Sequence, residues 1–149
     1  MNLRLRDKIF LGLIGISAVL ILFNKIFGND QNKPRTVEAK LSDKRIFLEI
    51  ADNDELRYLG LSNREKLGAD EGMLFLHNLK GIYPYVMRNM NFGLDFVFLE
   101  DGTVVDLKEK IPADYLGKIE GESAYNQVLE LPFGYIEERG VAKGDRLEW

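Results

Sequence analysis

The chain has 149 residues, 24 acidic against 20 basic side chains, one histidine and no cysteine, for a net charge of −4. Those numbers exclude a disulfide framework, a thiolate nucleophile and cysteine-ligated zinc. Beyond residue 33 the balance falls to −7, from 15 basic and 22 acidic groups. The basic footprint that phosphates require is missing, so nucleic acid is not an expected partner.

Residues 1–8 carry Arg4, Arg6 and Lys8 ahead of a fifteen-residue uncharged run, Ile9–Phe23, apolar except for Ser17. As a helix those fifteen cover roughly 22 Å at about 1.5 Å per residue, short of a hydrocarbon core of roughly 30 Å. Extension through Ile26-Phe27 brings the length to about 28 Å, provided Asn24 and Lys25 reach back to the headgroups, as a lysine stem can. Between Leu20 and Asn32 only Gly28 is small, with Ile26 two places before it, and no lipoprotein cysteine follows. An uncleaved anchor over residues 9–27 is therefore preferred to a removed signal peptide. The basic residues packed before the span favour a cytoplasmic tail at 1–8. The remainder is then extracytoplasmic, in a single-pass protein of the cytoplasmic membrane. Residues 28–35, polar and containing Pro34, read as a linker.

Residues 36–149 suffice for one core. Val37–Leu41 and Arg45–Ile50 read as strands around a turn at Ser42-Asp43-Lys44. Asp52 or Asn53 caps a short helix running to about Leu61, with Glu55 near its positive end. Gly72–Leu76 and Tyr85–Met87 read as further strands. Leu94–Leu99 and Thr103–Leu107 flank Asp101-Gly102, whose tolerance of positive φ marks a tight hairpin. Gln127–Leu131 follows, then one helical turn at Tyr135–Arg139 and a terminal strand at Arg146–Trp149. Many short strands and only one or two short helices predict a mainly β domain, a single compact β-sandwich or barrel, α+β at the margin.

The chain has no G-x-S-x-G elbow, phosphate loop, H-E-x-x-H or G-x-G-x-x-G, so no catalytic residue, cofactor or metal is assigned. Asp52-Asn53-Asp54 opens like a calcium loop, but Leu56 and Arg57 break the ligand pattern, which leaves a helix cap. His77 is the single histidine, and any histidine-based general-base mechanism has to pass through it. Adjacent acids such as Asp70-Glu71 and Glu137-Glu138 sit in expected turns and read as solvated surface.

The unusual stretch is Tyr85–Asp95, where Arg88, Asn89 and Asp95 are set among aromatics and methionines. Polar groups beside a core need partners. On one reading Asn89 and Asp95 satisfy loop amides while Arg88 pairs with a carboxylate. On the other, the three form a small concave site rimmed by aromatic rings.

At these residues the chain resembles the domain of unknown function 192 family, from about Ala51 to Asp145. The matching blocks are Arg57-Tyr58-Leu59-Gly60-Leu61 with Arg64 and Leu67, then Gly72-Met73-Leu74-Phe75. Met87-Arg88-Asn89 with Leu94-Asp95 comes next, then Asp101-Gly102 with Val104-Val105. Val128-Leu129-Glu130-Leu131 with Gly134 and Gly144-Asp145 complete the series. Val86 replaces the tryptophan common in the family, Gly93 the proline and Ser62 the methionine, and the cysteine pair of many members is absent. The resemblance implies a mainly β sandwich-like or barrel-like domain, often exported, and brings no established activity.

The expectation is a non-catalytic module, anchored to the bilayer through residues 9–27, that binds a small polar or saccharide-like ligand or docks on an envelope protein. Arg88, Asn89 and Asp95 would supply the polar contacts, together with Arg57, Arg64 and Glu130, while Tyr85 and Phe92 supply aromatic surface. The alternative is a carboxylate-dependent hydrolase acting through Asp95 and Glu130, or a hydrolase using His77. For the anchor, Ile14→Asp together with Leu20→Asp should move the protein into the carbonate-soluble fraction. Continued sedimentation with membranes would contradict the tether.

Overall fold

A computed structural model describes residues 33–149. The anchor at 9–27 and most of the linker lie outside the described residues. Among the described residues no helix is long and apolar enough to cross a membrane.

Strands β1 (Thr36–Leu41) and β2 (Lys44–Ala51) form an antiparallel hairpin. Its two-residue turn, Ser42-Asp43, takes φ of 50° and 64° without glycine, the doubly left-handed geometry that matches strand twist. Helix α1 (Asp54–Leu59) follows, its Asn53 side chain accepting from the Leu56 N–H at 2.9 Å. Gly60, at φ 52°, ends it two residues before the expected limit. The chain then crosses to β3 (Glu71–Gly81), which lies parallel to β2.

β3 extends five residues past the Leu76 boundary read from the apolar run, because polar His77, Asn78 and Lys80 continue it at the rim. The register against its neighbour shifts between Leu76 and Gly81. Tyr85–Met87 is not a strand. Tyr85 makes one isolated bridge to Ile119, while Tyr85 and Met87 turn inward and Val86 and Arg88 outward. β4 (Leu94–Glu100) and β5 (Thr103–Ile111) form the expected hairpin over Asp101-Gly102, at φ 49° and 81°. β6 (Tyr125–Pro132), α2 (Tyr135–Arg139) and β7 (Leu147–Glu148) complete the domain.

The seven strands form one sheet in the order β5-β4-β6-β3-β2-β1-β7, not the two packed sheets of a sandwich. The sheet curls into a half-barrel. Its ends meet where Arg146 bridges Thr103, with Leu147 N–H donating to Gly102 O at 2.8 Å and Val104 N–H to Asp145 O at 2.9 Å.

Strand alternation divides the apolar residues into two cores. Ala39, Leu48, Leu74, Val97, Val104, Leu129 and Leu147, from all seven strands, fill the concave interior with Tyr135 and Ile136. Phe75, Phe96, Phe98, Tyr125 and Val128 fill the opposite face beneath Leu56, Leu61, Met87 and Ile119. The middle strands are therefore buried on both sides, and Leu94–Leu99 has no exposed residue.

Asp95 belongs to the concave side. One carboxyl oxygen accepts from Lys110 N–H at 2.7 Å and Gly134 N–H at 3.0 Å, and the other from Ile136 N–H at 2.8 Å. It caps α2, whose own N-cap, Gly134, has no side chain, and it holds the bulge at Lys110, φ 53°. Asp95→Asn would aim an amide N–H₂ at backbone donors. It should lower urea-unfolding stability by about 2–4 kcal/mol, and an unchanged midpoint would contradict this role.

Candidate functional site

The convex face is incompletely covered. A cleft of about 590 Å³ opens between α1, the outer half of β3 and residues 82–90. Phe75, Leu94 and Met90 make it apolar, Tyr58, Tyr83 and Tyr85 add rings, and Arg57, Arg88, His77 and Glu130 supply polar groups. Exposed apolar side chains continue the rim at Leu59, Leu79, Ile82 and Val86.

Glu130 stands where β6 passes between β3 and β4, opposite Met73 and Phe96. Its neighbours Leu129 and Leu131 point to the concave core, so Glu130 points to the convex one, beside Val128. Only 6 % exposed, its carboxyl accepts no hydrogen bond among the described residues. Burial pushes it up to about 8, the cation of Arg64 pulling weakly the other way. At neutral pH it is mainly an uncharged acid with a proton to donate.

The other end of the cleft is aromatic. His77 Nε2 and the Tyr85 hydroxyl are 2.9 Å apart, and the imidazole stacks on Tyr83 with centroids 3.7 Å apart and planes 2° from parallel. Burial and then the Arg57 cation hold His77 down at about 4. Burial, and next the negative charge at Glu130, raise the Tyr85 phenol above its ordinary range. Both rings are neutral at pH 7.

Arg57 is held by the Leu76 carbonyl at 2.7 Å and Asp54 at 2.6 Å. Arg88 lies 3.9 Å over the Tyr58 ring and donates to the Tyr58 carbonyl, so its partner is a π-face and a carbonyl, not a carboxylate. Among the described residues no group of three His, Asp or Glu gathers as a metal would require.

Of the residues singled out in the sequence, Arg57, Tyr85, Arg88 and Glu130 share this cleft. Arg64 stands behind it, bound through two hydrogen bonds to Glu49 at 2.5 and 2.7 Å. Asn89 is in an exposed turn at φ 54°, its carbonyl accepting from Asn63 N–H. Phe92 is half-buried against the convex core. Asp95 faces the other side of the sheet, so the expected Arg88–Asn89–Asp95 constellation does not form. Tyr58 and Tyr83 were not anticipated, and His77 was noted only as a possible base. The signal that was available is Val128-Leu129-Glu130-Leu131: a strand with apolar residues on both faces makes a carboxyl within it a buried one.

The sequence model of the domain of unknown function 192 family (DUF192, "Uncharacterized ACR") matches residues 36–149. The chain belongs to this family. Its Arg57–Leu61 block lines the cleft, and the Gly72–Phe75 and Val128–Leu131 blocks each add one residue to it, Phe75 and Glu130. Two crystal structures are similar to it. One, a candidate transcription regulator from Sinorhizobium meliloti 1021, has TM-score 0.74 and 29% identity over 78% of this chain and 95% of its own. The other, a protein of unknown function from Novosphingobium aromaticivorans DSM 12444, has TM-score 0.69 and 29% identity over 76% and 85%. No curated protein matches.

The two shifted groups act on stability in opposite senses. Glu130 is protonated when folded and ionised when unfolded between its ordinary value of 4.5 and about 8, so it removes stability as pH rises through that window. His77 is neutral when folded and protonated when unfolded between about 4 and 6.5, so it adds stability as pH rises there. The two oppose each other between pH 4.5 and 6.5, and a net decline remains from 6.5 to about 8. Glu130→Gln should abolish that decline and leave the variant about 2–4 kcal/mol more stable at pH 9. Parallel pH profiles for the two proteins would contradict the buried, uncharged acid.

Proposed function

We propose that the DUF192 domain of this chain is a non-catalytic binding module whose cleft takes a small polar, saccharide-like ligand. Residues 9–27 would hold it on the extracytoplasmic side of the cytoplasmic membrane. The observation that carries the reading is Glu130, a buried acid without a protein partner at the base of an aromatic-lined opening. A buried polar group left unpaired costs a few kcal/mol. Its presence at a cleft, with no evident structural task, favours a partner that arrives from solution.

The aromatic lining supports a sugar-like occupant. Tyr58 and Tyr83 present ring faces, and sugar C–H faces pack on such surfaces while their hydroxyls bond to groups such as Glu130 and Arg57. Paired-carboxylate hydrolysis is the weaker reading, because it needs two carboxyls about 5–9 Å apart across one cleft. Asp95 and Glu130 project from opposite faces, and Asp95 is occupied by three backbone amides. A mechanism through His77 lacks an orienting carboxylate, since its partner is Tyr85. The acidic balance of −7 beyond residue 33 gives no support to the regulator role ascribed to the Sinorhizobium protein.

Tyr58 is 73% exposed, so its loss should not disturb the fold. Tyr58→Ala is expected to weaken binding of neutral and acidic mono- and disaccharides about tenfold, the worth of one ring contact, while the melting temperature stays within about 2 °C. If no sugar in such a panel binds the full-length protein, the reading is wrong.

A further inference from the structure

We infer that the cleft selects ligands bearing a carboxylate, which docks against the Glu130 carboxyl in a cleft that Arg57 and Arg88 also line. The inference rests on the binding reading above and adds the chemical class of the ligand. Its first support is geometric. Glu130 is more than nine-tenths buried, yet it lines the cleft, and its Oε2 lies 3.9 Å from where a side chain on Gly60 would begin. The position that would cover the acid is therefore held by a residue without a side chain.

The second support is the charge around it, taken element by element. From α1 come Arg57 and Asp54, which are bound to each other. From the loop beyond it comes Arg64, paired with Glu49 of β2. β3 contributes exposed Glu71 near Arg64 and the neutral His77. Residues 82–93 contribute Tyr85 and Arg88, and β4 presents apolar Leu94 and Phe96. Tyr125 on β6 is occupied by the backbone of Tyr83. Arg64, Glu49 and Glu71 lie outside the lining, which itself carries Arg57 and Arg88 against Asp54, one net positive charge while Glu130 keeps its proton, in a domain that is otherwise strongly acidic.

An ammonium ligand would meet Arg57 and Arg88 beside an uncharged acid, and the one lining carboxylate, Asp54, is already bound to Arg57. A carboxylate meets those cations and an O–H donor. The acid–carboxylate hydrogen bond, O–H···O⁻, is among the short, strong ones. It exists only while Glu130 is protonated, so binding is linked to that proton. Length adds a further constraint. Glu130 pairs with Met73, and His77 lies four residues along β3, about 13 Å away at about 3.3 Å per residue. A ligand touching both ends is about two sugar rings long, with its carboxylate at the Glu130 end.

Calorimetric titration of the full-length chain in lipid nanodiscs with glucuronate, benzoate, glucose and benzylammonium tests this. At pH 6.5 at least one of the two acids should bind tenfold or more tighter than glucose or benzylammonium. Its affinity should fall about tenfold per pH unit above pH 8. Glucuronate ahead of benzoate supports a sugar acid; the reverse order supports an aryl acid, and the carboxylate class stands in both cases. Glu130→Gln should weaken the acids several-fold at pH 6.5 and remove their pH dependence. Glucose or benzylammonium binding as tightly as the acids overturns the inference, as does a pH dependence that survives in the variant. Glucose binding alone would leave the binding reading intact, whereas silence from all four probes and from the wider sugar panel removes both.

Discussion

A sheet buried on both faces has no neutral place for a charge, and that constraint organises this domain. β4 and β6 run through the middle of the half-barrel with apolar packing on either side. Each carries one buried carboxyl, Asp95 and Glu130, and the two are placed almost next to each other in register, Asp95 opposite Leu131 and Phe96 opposite Glu130. Because alternate residues point to opposite faces, the two acids meet different surroundings. Asp95 finds three backbone N–H donors where a bulge, a turn and a helix end converge. Glu130 finds Phe75, Gly60 and an opening.

That difference separates a carboxyl that holds the fold together from one that does not. A carboxyl that collects three backbone amides ties β4, β5 and α2 together, and its removal undoes a junction. A carboxyl that collects none contributes nothing to the fold above its own titration point and costs stability there. Its location is the instructive part. It lies at the foot of a cleft whose other end is a neutral His77–Tyr83–Tyr85 group, with Arg57 and Arg88 anchored by main-chain carbonyls between. Holding those guanidiniums by carbonyls, an exposed acid and a tyrosine face leaves their charge uncancelled by the buried acid.

The closure of the half-barrel bears on the same point. β7 joins β1 on one side while Arg146 reaches Thr103 on the other, so the concave core is sealed by the C-terminal residues. The convex face has no such seal. It is covered by α1 and by two irregular segments, 82–93 and 112–124, bridged only through Tyr85 and Ile119. An opening is cheapest to maintain where cover is made of loops, and the cleft is on that side.

What could be read from residues alone was local. Asp101-Gly102 announced its hairpin, Asp52-Asn53 a helix cap, Gly140 the end of a short helix, and strand alternation the mainly β character, since each depends on backbone preferences within a few positions. The family blocks were legible for the same reason, as short runs in order. The single curled sheet, the parallel placement of β3 beside β2 and the sealing by β7 depend on pairings between residues far apart in the chain. Site assignment failed at the same boundary. Arg88, Asn89 and Asp95 are neighbours in sequence and were grouped for that reason, whereas one residue of strand alternation sends Asp95 to the far side of the sheet. Glu130, Tyr58, His77 and Tyr85 come from four separate segments, and only the packing of α1 and residues 82–90 over the convex face brings them to one cleft. Composition and periodicity state which residues must be buried; which buried acid lacks a partner is decided by the surrounding chain, because desolvation and hydrogen bonding are properties of a place in space and not of a position in a sequence.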